Sequence, residues 1–467
     1  MSLSCASSAL RDDLQKLDGL VANARQSGLL PADGPSLVDS ISPGNSVPAD
    51  RAAEPDVRKL LEEPLDADAA VTIALLNGRA LRAELRSLGV ARARVLEAGA
   101  IPNPGVEVTL WKPTRDDRPV DVELAVEWDL KDAILAGIAA SGASQEREAV
   151  RRKVAASVIR YGFDVRSAFY AYRAAERRWM LSARSLDAMA AARDAMQALD
   201  EAGNVTGLRR WTEEAAYEGA RQRAADLEID VFEKREALNV LMGLSGKGTT
   251  WTTAGGGRRV PERLDIPPDA AARAITANLE LAAHRYRLDA LATAEAHAQT
   301  RQWLPELEVQ LHAEQDQDDW HYGVGVLTSL PLFDVAGGEA ARAVAEGEVE
   351  LERYHGAAIA LRSAARTLVA QLETAHAKLL HLQGRLLPAR ERVAAEALLQ
   401  YNAMQIDVFQ LLVADRELLD ARMAEARAIA AYWTADAAFQ ALLAGVAVTL
   451  SPVREDGPAP AEGPRGH

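Results

Sequence analysis

Residues Val120 to Leu130, VDVELAVEWDL, are apolar at every second position: Val120, Val122, Leu124, Val126, Trp128 and Leu130. Asp121, Glu123, Ala125, Glu127 and Asp129 lie between them. A period of two predicts a β-strand with one apolar and one acidic face. A similar run at 104–111, which carries Glu107, precedes it across the turn-rich KPTRDDRP. Two more runs follow at 304–314 and 320–330. In that pair Leu307, Val309 and Leu311 alternate with Glu306, Glu308, Gln310, His312 and Glu314, and Tyr322, Val324, Val326, Thr328 and Leu330 oppose His321. Most of the remaining chain carries helical spacing. A proline-free stretch over 132–200 places Val154, Val158, Tyr161, Val165, Ala168, Tyr172, Ala175 and Trp179 at steps of four and three. Leu351 through Leu386 repeats the pattern. Such seams predict long helices packed against partner helices.

The chain is written twice. ALLNGRAL at Ala74–Leu81 matches ITANLELA at Ile275–Ala282, PGVEV at Pro104–Val108 matches PELEV at Pro305–Val309, and AGNVTGL at Ala202–Leu208 matches AMQIDVF at Ala403–Phe409. The offsets 278 − 77, 305 − 104 and 403 − 202 all equal 201. A tandem duplication predicts five regions: an N-terminal segment 1–65, a first repeat 66–245, a linker 246–267, a second repeat 268–446 and a disordered tail 447–467. The N-terminal segment is expected as an extended strap. Each repeat should run helix, β-hairpin, long helix, turn, return helix. The first helix should open after Asp66 or Asp68 and continue to about Ala98, and the return helices should stop at Gly243 and Gly445. The long helices have about 70 residues, or roughly 100 Å.

Two isolated hairpins are marginal in water. Half of the eight tryptophans fall at predicted strand ends: Trp128, Trp303 and Trp320 on the apolar parity, and Trp111 on the other. Apolar outside, polar inside and aromatic at the rims describes a lipid-embedded barrel. Four strands cannot close around a lumen, and open edges are not tolerated in hydrocarbon. Closure therefore requires several chains, and three would supply twelve strands above a helical tube. Composition agrees. The net charge of −15 argues against nucleic acid as a partner. Hydrophobic content of 48% with only 5% aromatics suits closely packed helices. No apolar run is long enough for a membrane-spanning helix, which leaves a barrel open.

At the level of motifs the chain resembles the TolC-like outer-membrane efflux proteins, the branch serving metal-type tripartite pumps. The resemblance is carried by AVTIALLNGRALRAELRSLGVARARVLEAGAIPNPGVEV, LPLFDVAGGEAAR, AGNVTGL and YNAMQIDVFQLLVADRELLDARMAEARAIAAYWTADAAFQALLAG. It covers residues 66 to 446 with the duplication. It implies a mostly α protein with a transmembrane β-barrel: a homotrimer with a twelve-helix periplasmic tunnel and a shared twelve-stranded barrel. It also implies a location in the Gram-negative outer membrane, docking on a periplasmic adaptor and an inner-membrane pump, and service as a passive exit duct for metal ions or small toxic compounds. A type I secretion duct for polypeptides and a soluble coiled-coil scaffold are the alternatives. The first repeat departs from the pattern, with EWDLKDAIL where the second has its PLF motif.

Candidate sites follow. Glu107, Asp121, Glu123, Glu127, Asp129, Glu306, Glu308, His312, Glu314 and His321 share the expected lumen face. Trp111, Trp128, Trp303 and Trp320 are the expected aromatic belt. Gly203, Asn204, Tyr401, Gln405, Asp407, Gln410 and Asp415 mark the tunnel tip and aperture. Cys5, the sole cysteine, sits in SLSCASS as an expected lipid-attachment site. The sequence carries no phosphate loop, nucleophile–base pair or cysteine-based metal site, and no catalysis or cofactor is expected.

Overall fold

The computed structural model describes residues 3–41, 55–112, 120–203, 205–255, 258–316, 319–329 and 337–450. The chain opens with helix α1 (Leu3–Gln26), a 3-10 turn at Asp39–Ile41 and α2 (Pro55–Glu62). The first repeat comprises α3 (Ala67–Asn77), α4 (Arg79–Ala98), β1 (Gly105–Trp111), β2 (Asp121–Asp129), α5 (Leu130–Glu201) and α6 (Gly207–Met242). A 3-10 turn at Gly246–Thr249 leads to the second: α7 (Ala270–Ala277), α8 (Leu279–Trp303), β3 (Glu306–Asp316), β4 (Asp319–Ser329), α9 (Gly337–His381), α10 (Leu387–Asn402) and α11 (Val408–Leu443).

The duplication is visible residue by residue. β1 and β3 begin at Gly105 and Glu306, α6 and α11 at Gly207 and Val408, and these starts are 201 apart (306 − 105 and 408 − 207). The two tip turns each hold a left-handed residue at the same offset, Gly203 at φ +74° and Met404 at φ +59°. Glycine adopts that conformation freely, whereas a methionine there is strained.

Four segments depart from expectation. The helix expected to run unbroken to Ala98 is interrupted at Gly78, whose ψ of 113° is extended. The second repeat breaks at Asn278, the counterpart of Asn77, whose side chain accepts from Leu281 N at 2.8 Å and so starts α8. Between α9 and α10 the second long helix widens into a π turn at Leu382–Leu386. Pro388, just beyond, has no N–H, and its ring would collide with the Gly384 carbonyl in a regular α-helix. The N-terminal segment, expected extended, is helical over Leu3–Gln26. Residues 451–467, most of the expected tail, lie outside the described residues.

The chain forms two compact units. The first contains Met1–Leu20, Ala83–Ser157 and Asn278–Ala360. It holds a four-stranded antiparallel sheet, ordered β1-β2-β3-β4. Here Leu14 and Leu17 of α1 are buried, and beside them Asp13 meets Arg151 of α5 at 2.5 Å with both side chains buried. Across α8 and α9, His284 Nδ1 lies 2.7 Å from the buried Glu350. The second unit contains Val21–Arg82, Val158–Ala277 and Leu361–His467. Close backbone approach organises its core. A Cβ on Gly162 would stand 2.5 Å from Leu30 Cδ2, and one on Gly78 would stand 2.3 Å from the Tyr161 hydroxyl, which itself donates to Leu241 O. Burial pushes the Tyr161 hydroxyl up to about 12. Trp251 from the linker is buried, donates to Asn239 Oδ1 at 2.8 Å and meets Tyr172 edge to face with centroids 4.9 Å apart. In the seam of the second long helix Leu361, Ala365, Leu368, Leu372 and Leu379 are buried, while its ends, Leu351 and Leu386, are exposed.

Candidate functional site: an acid-faced sheet and a helical tip

Cross-strand register decides which side chains share a face, because directly opposed residues project to the same side. One row reads Thr109, Glu123, Glu314, His321. The next reads Glu107, Ala125, His312, Gly323, and then come Gly105, Glu127, Gln310, Gly325. Asp129 faces Glu308, and Glu306 faces Ser329. Asp121 holds a position in this same set, opposite Trp111. All ten expected lumen positions therefore fall on one face. By register every Asp and Glu position of the four strands belongs to this set, and none of the strands contains Lys or Arg.

This face is hydrogen-bonded across strands. Gln310 Nε2 donates to Glu127 Oε1 at 3.2 Å, and the Gln310 Oε1 lies 3.2 Å from His312 Nε2. The opposite face reads Val108, Leu124, Ala313, Tyr322 and then Val106, Val126, Leu311, Val324. Its members are open to the surroundings: Val106 is 70% exposed, Tyr322 79% and Val324 75%. A sheet with an acidic face, a bare apolar face and two outer strands each paired on one side is unfinished as a water-soluble object.

The tryptophans divide between the two ends of the sheet. Trp111 and Trp320 flank the hairpin turns, and Trp128 and Trp303 lie where strands join helices. One belt residue lies outside the strands. Trp303 is the last residue of α8 rather than part of a strand, because that helix continues up to Pro305, where the chain becomes extended. Trp111 stays on the acidic face, its Nε1 donating to Glu123 Oε2 at 3.4 Å, and does not share the apolar face. Trp128 donates to Pro102 O at 2.8 Å, and Trp320 stacks on Tyr322. The LPLF motif at 330–333 lies outside the described residues.

The tip residues occupy the two helix–helix turns of the second unit. Asp407 caps α11, accepting from Gln410 N at 3.0 Å, and pairs with Arg209 of α6. The Arg209 guanidinium also lies 4.2 Å from the Phe409 ring centre, so the first-repeat tip is tied to the second. Met404 N donates to Tyr401 O and Gln405 N to Gln400 O, each at 2.9 Å. Tyr401, Gln405, Gln410 and Asp415 are exposed, as is Gly203. Asn204 lies outside the described residues, and so does the side chain of Cys5, whose backbone belongs to α1. The residue that sequence reasoning missed is Arg209. No local spacing could connect it to a carboxylate 198 positions away.

Among the described residues no group of three or more His, Cys, Asp or Glu is arranged to hold a metal ion, and no helix is long and apolar enough to cross a membrane. Two hollows of about 420 and 450 Å³ are open, one between α5, α8 and α9 and one on the sheet.

Known structures share this arrangement. The chain superposes on a membrane protein from Pseudomonas aeruginosa with a TM-score of 0.68, at 20% identity, covering 84% of this chain and 93% of that one. This is the TolC-like channel fold. The CmeC outer membrane channel of Campylobacter jejuni gives a TM-score of 0.69 at 13% identity, covering 82% of this chain and 86% of that one. In sequence, the chain is 24% identical over 372 residues to the cobalt-zinc-cadmium resistance protein CzcC of Cupriavidus metallidurans, covering 77% of this chain and 85% of that one. No protein-family profile matches.

Proposed function

We propose that this TolC-like chain is an outer-membrane exit duct of a tripartite efflux system, passing metal ions or small toxic compounds from a pump to the exterior without chemistry of its own. The observation that carries this reading is the sheet, acidic on one face and bare apolar on the other, with β1 and β4 unpaired outward. Three copies would join β4 of one to β1 of the next, giving a twelve-stranded barrel over a twelve-helix tunnel. The apolar face then meets lipid, with Trp128, Trp303 and Trp320 near its rims, and the acidic face meets water. Carboxylates repeated threefold with no Lys or Arg among the strands create a potential that favours cations in the lumen. The likeness to a cobalt-zinc-cadmium resistance protein supports cations as cargo. The exposed turns at Gly203 and Gln405 present the tip to a periplasmic adaptor. Cys5 is the point at which a lipid would anchor the chain, and lipid labelling of a Cys5→Ala variant tests that part.

The whole reading is tested on detergent-solubilised protein by light scattering, then by conductance in planar bilayers across a salt gradient. A trimeric mass and a cation-selective reversal potential are expected. A monomer soluble without detergent refutes the duct. A trimer with anion preference refutes the role given to the acidic face.

A further inference from the structure

The sheet order fixes a second order beneath it. α4 leads into β1, β2 leads into α5, α8 leads into β3 and β4 leads into α9, all at one end of the sheet. The helices of the first unit therefore follow the sequence α4, α5, α8, α9 around the wall, and in a closed ring the next helix after α9 is α4 of a neighbouring copy. We infer that α4 and α9 form an electrostatically paired seam between copies, with α4 supplying arginines and α9 glutamates; this rests on the multimeric duct reading above.

Both helices carry an exposed stripe with no task inside the chain. On α4 the open side shows Arg86, Val90 and Arg94, with Glu97 on the same stripe next to the upper end, and Val90 is 58% exposed. On α9 it shows Ala345, Glu348, Glu352 and Ile359, and Ile359 is 66% exposed. The steps of four, and of three, four and seven, keep each set on one face of its helix. Among the described residues none of Arg86, Arg94, Glu348 and Glu352 has an ion-pair partner in its own chain. By contrast, the inward-facing charges of the same helices are paired within the chain: Arg92 with Asp13, and Glu350 with His284.

Depth matches as well as charge. Arg86 is 98 − 86 = 12 residues from the upper end of α4, and Glu348 is 348 − 337 = 11 residues from the upper end of α9. At about 1.5 Å per residue these are roughly 18 and 17 Å below the ends facing the sheet. The two helices run in opposite directions, so Arg94 falls above Arg86 as Ala345 falls above Glu348. The partner that fits is a second copy of this chain, because each face is complementary to the other and not to itself. Such a head-to-tail contact generates a ring rather than a two-fold dimer.

The test uses Arg86→Cys and Glu348→Cys together in a Cys5→Ser background, with detergent-solubilised full-length protein treated with a short bis-maleimide. A covalent trimer is expected, with neither single-cysteine variant cross-linking beyond background. A charge-reversed chain carrying Arg86→Glu should lose the trimer, and adding Glu348→Arg should restore it. A trimer by mass that does not cross-link overturns the seam and leaves the duct standing. A monomer by mass, in the unmodified protein, overturns the duct itself.

Discussion

Gly243 closes α6 in the left-handed conformation, at φ +66°, with its N–H donating back into the helix end. A Cβ placed there would lie 2.4 Å from the Asn77 carbonyl oxygen and 3.0 Å from its carbon. Asn77 ends α3, and its Nδ2 donates to Met242 O at 3.1 Å and to Gly243 O at 2.6 Å. Gly243→Ala therefore meets two obstacles. The left-handed backbone costs about 1 kcal/mol for a residue with a Cβ, and moving backbone to clear the collision disrupts two hydrogen bonds worth about 1 kcal/mol each. The sum is roughly 3 kcal/mol, about a hundredfold in the folding equilibrium. The assay is urea unfolding of the detergent-solubilised protein followed by circular dichroism, with slopes compared so that midpoints can be read as stability. Gly219→Ala is the internal control. It lies within α6, where the nearest atom to its Cβ is Arg223 Nη1 at 3.5 Å, so it should stabilise by up to about 1 kcal/mol. Gly243→Asn separates the two causes, since asparagine tolerates the left-handed region but still carries a Cβ. If Gly243→Asn behaves like wild type, the collision with Asn77 is not what makes this position glycine, and the reasoning fails.

Met404→Gly at the matching tip of the second repeat should act in the opposite direction, raising stability by up to about 1 kcal/mol in the same urea titration, because it removes backbone strain from an exposed side chain with little packing to lose. Trp251→Phe deletes the donor to the buried Asn239 and should lower stability by about 1–3 kcal/mol; a loss below about 0.5 kcal/mol would mean that water replaces the indole N–H. Glu350 gives a pH dependence. Burial alone would raise its carboxyl, but the hydrogen bond from His284, with Arg287 and Arg353 nearby, outweighs burial and holds it below the ordinary 4.5. A depressed native value means stabilisation that is present above pH 4.5 and disappears as the pH falls through the native value. The difference in melting temperature between wild type and Glu350→Gln should therefore be widest near neutrality and close below pH 4.5. A gap that widens in acid would contradict the assignment.

The sequence by itself determined a good deal. Alternation located the four strands to within a residue or two, since a half-buried strand must repeat every second position. The 201-residue offset showed the duplication, and the positions of Asp66, Gly243 and Gly445 marked helix ends through cap chemistry that is local. The acidic face was legible for the same reason, because parity alone assigns Glu107, Glu123, Glu127, Glu306, Glu308 and Glu314 to one side. Only the tertiary structure decided the rest. That β2 pairs with β3, joining two hairpins into one sheet, depends on contacts about 190 residues apart. The break at Gly78 arises because Tyr161 occupies the space a side chain would need, and Tyr161 is 83 positions away. Trp303 reads as a strand residue by parity yet ends a helix, and Arg209 finds Asp407 across the two repeats. Periodicity records which face of an element is buried, but not what it is buried against, and every one of these features is set by that second choice.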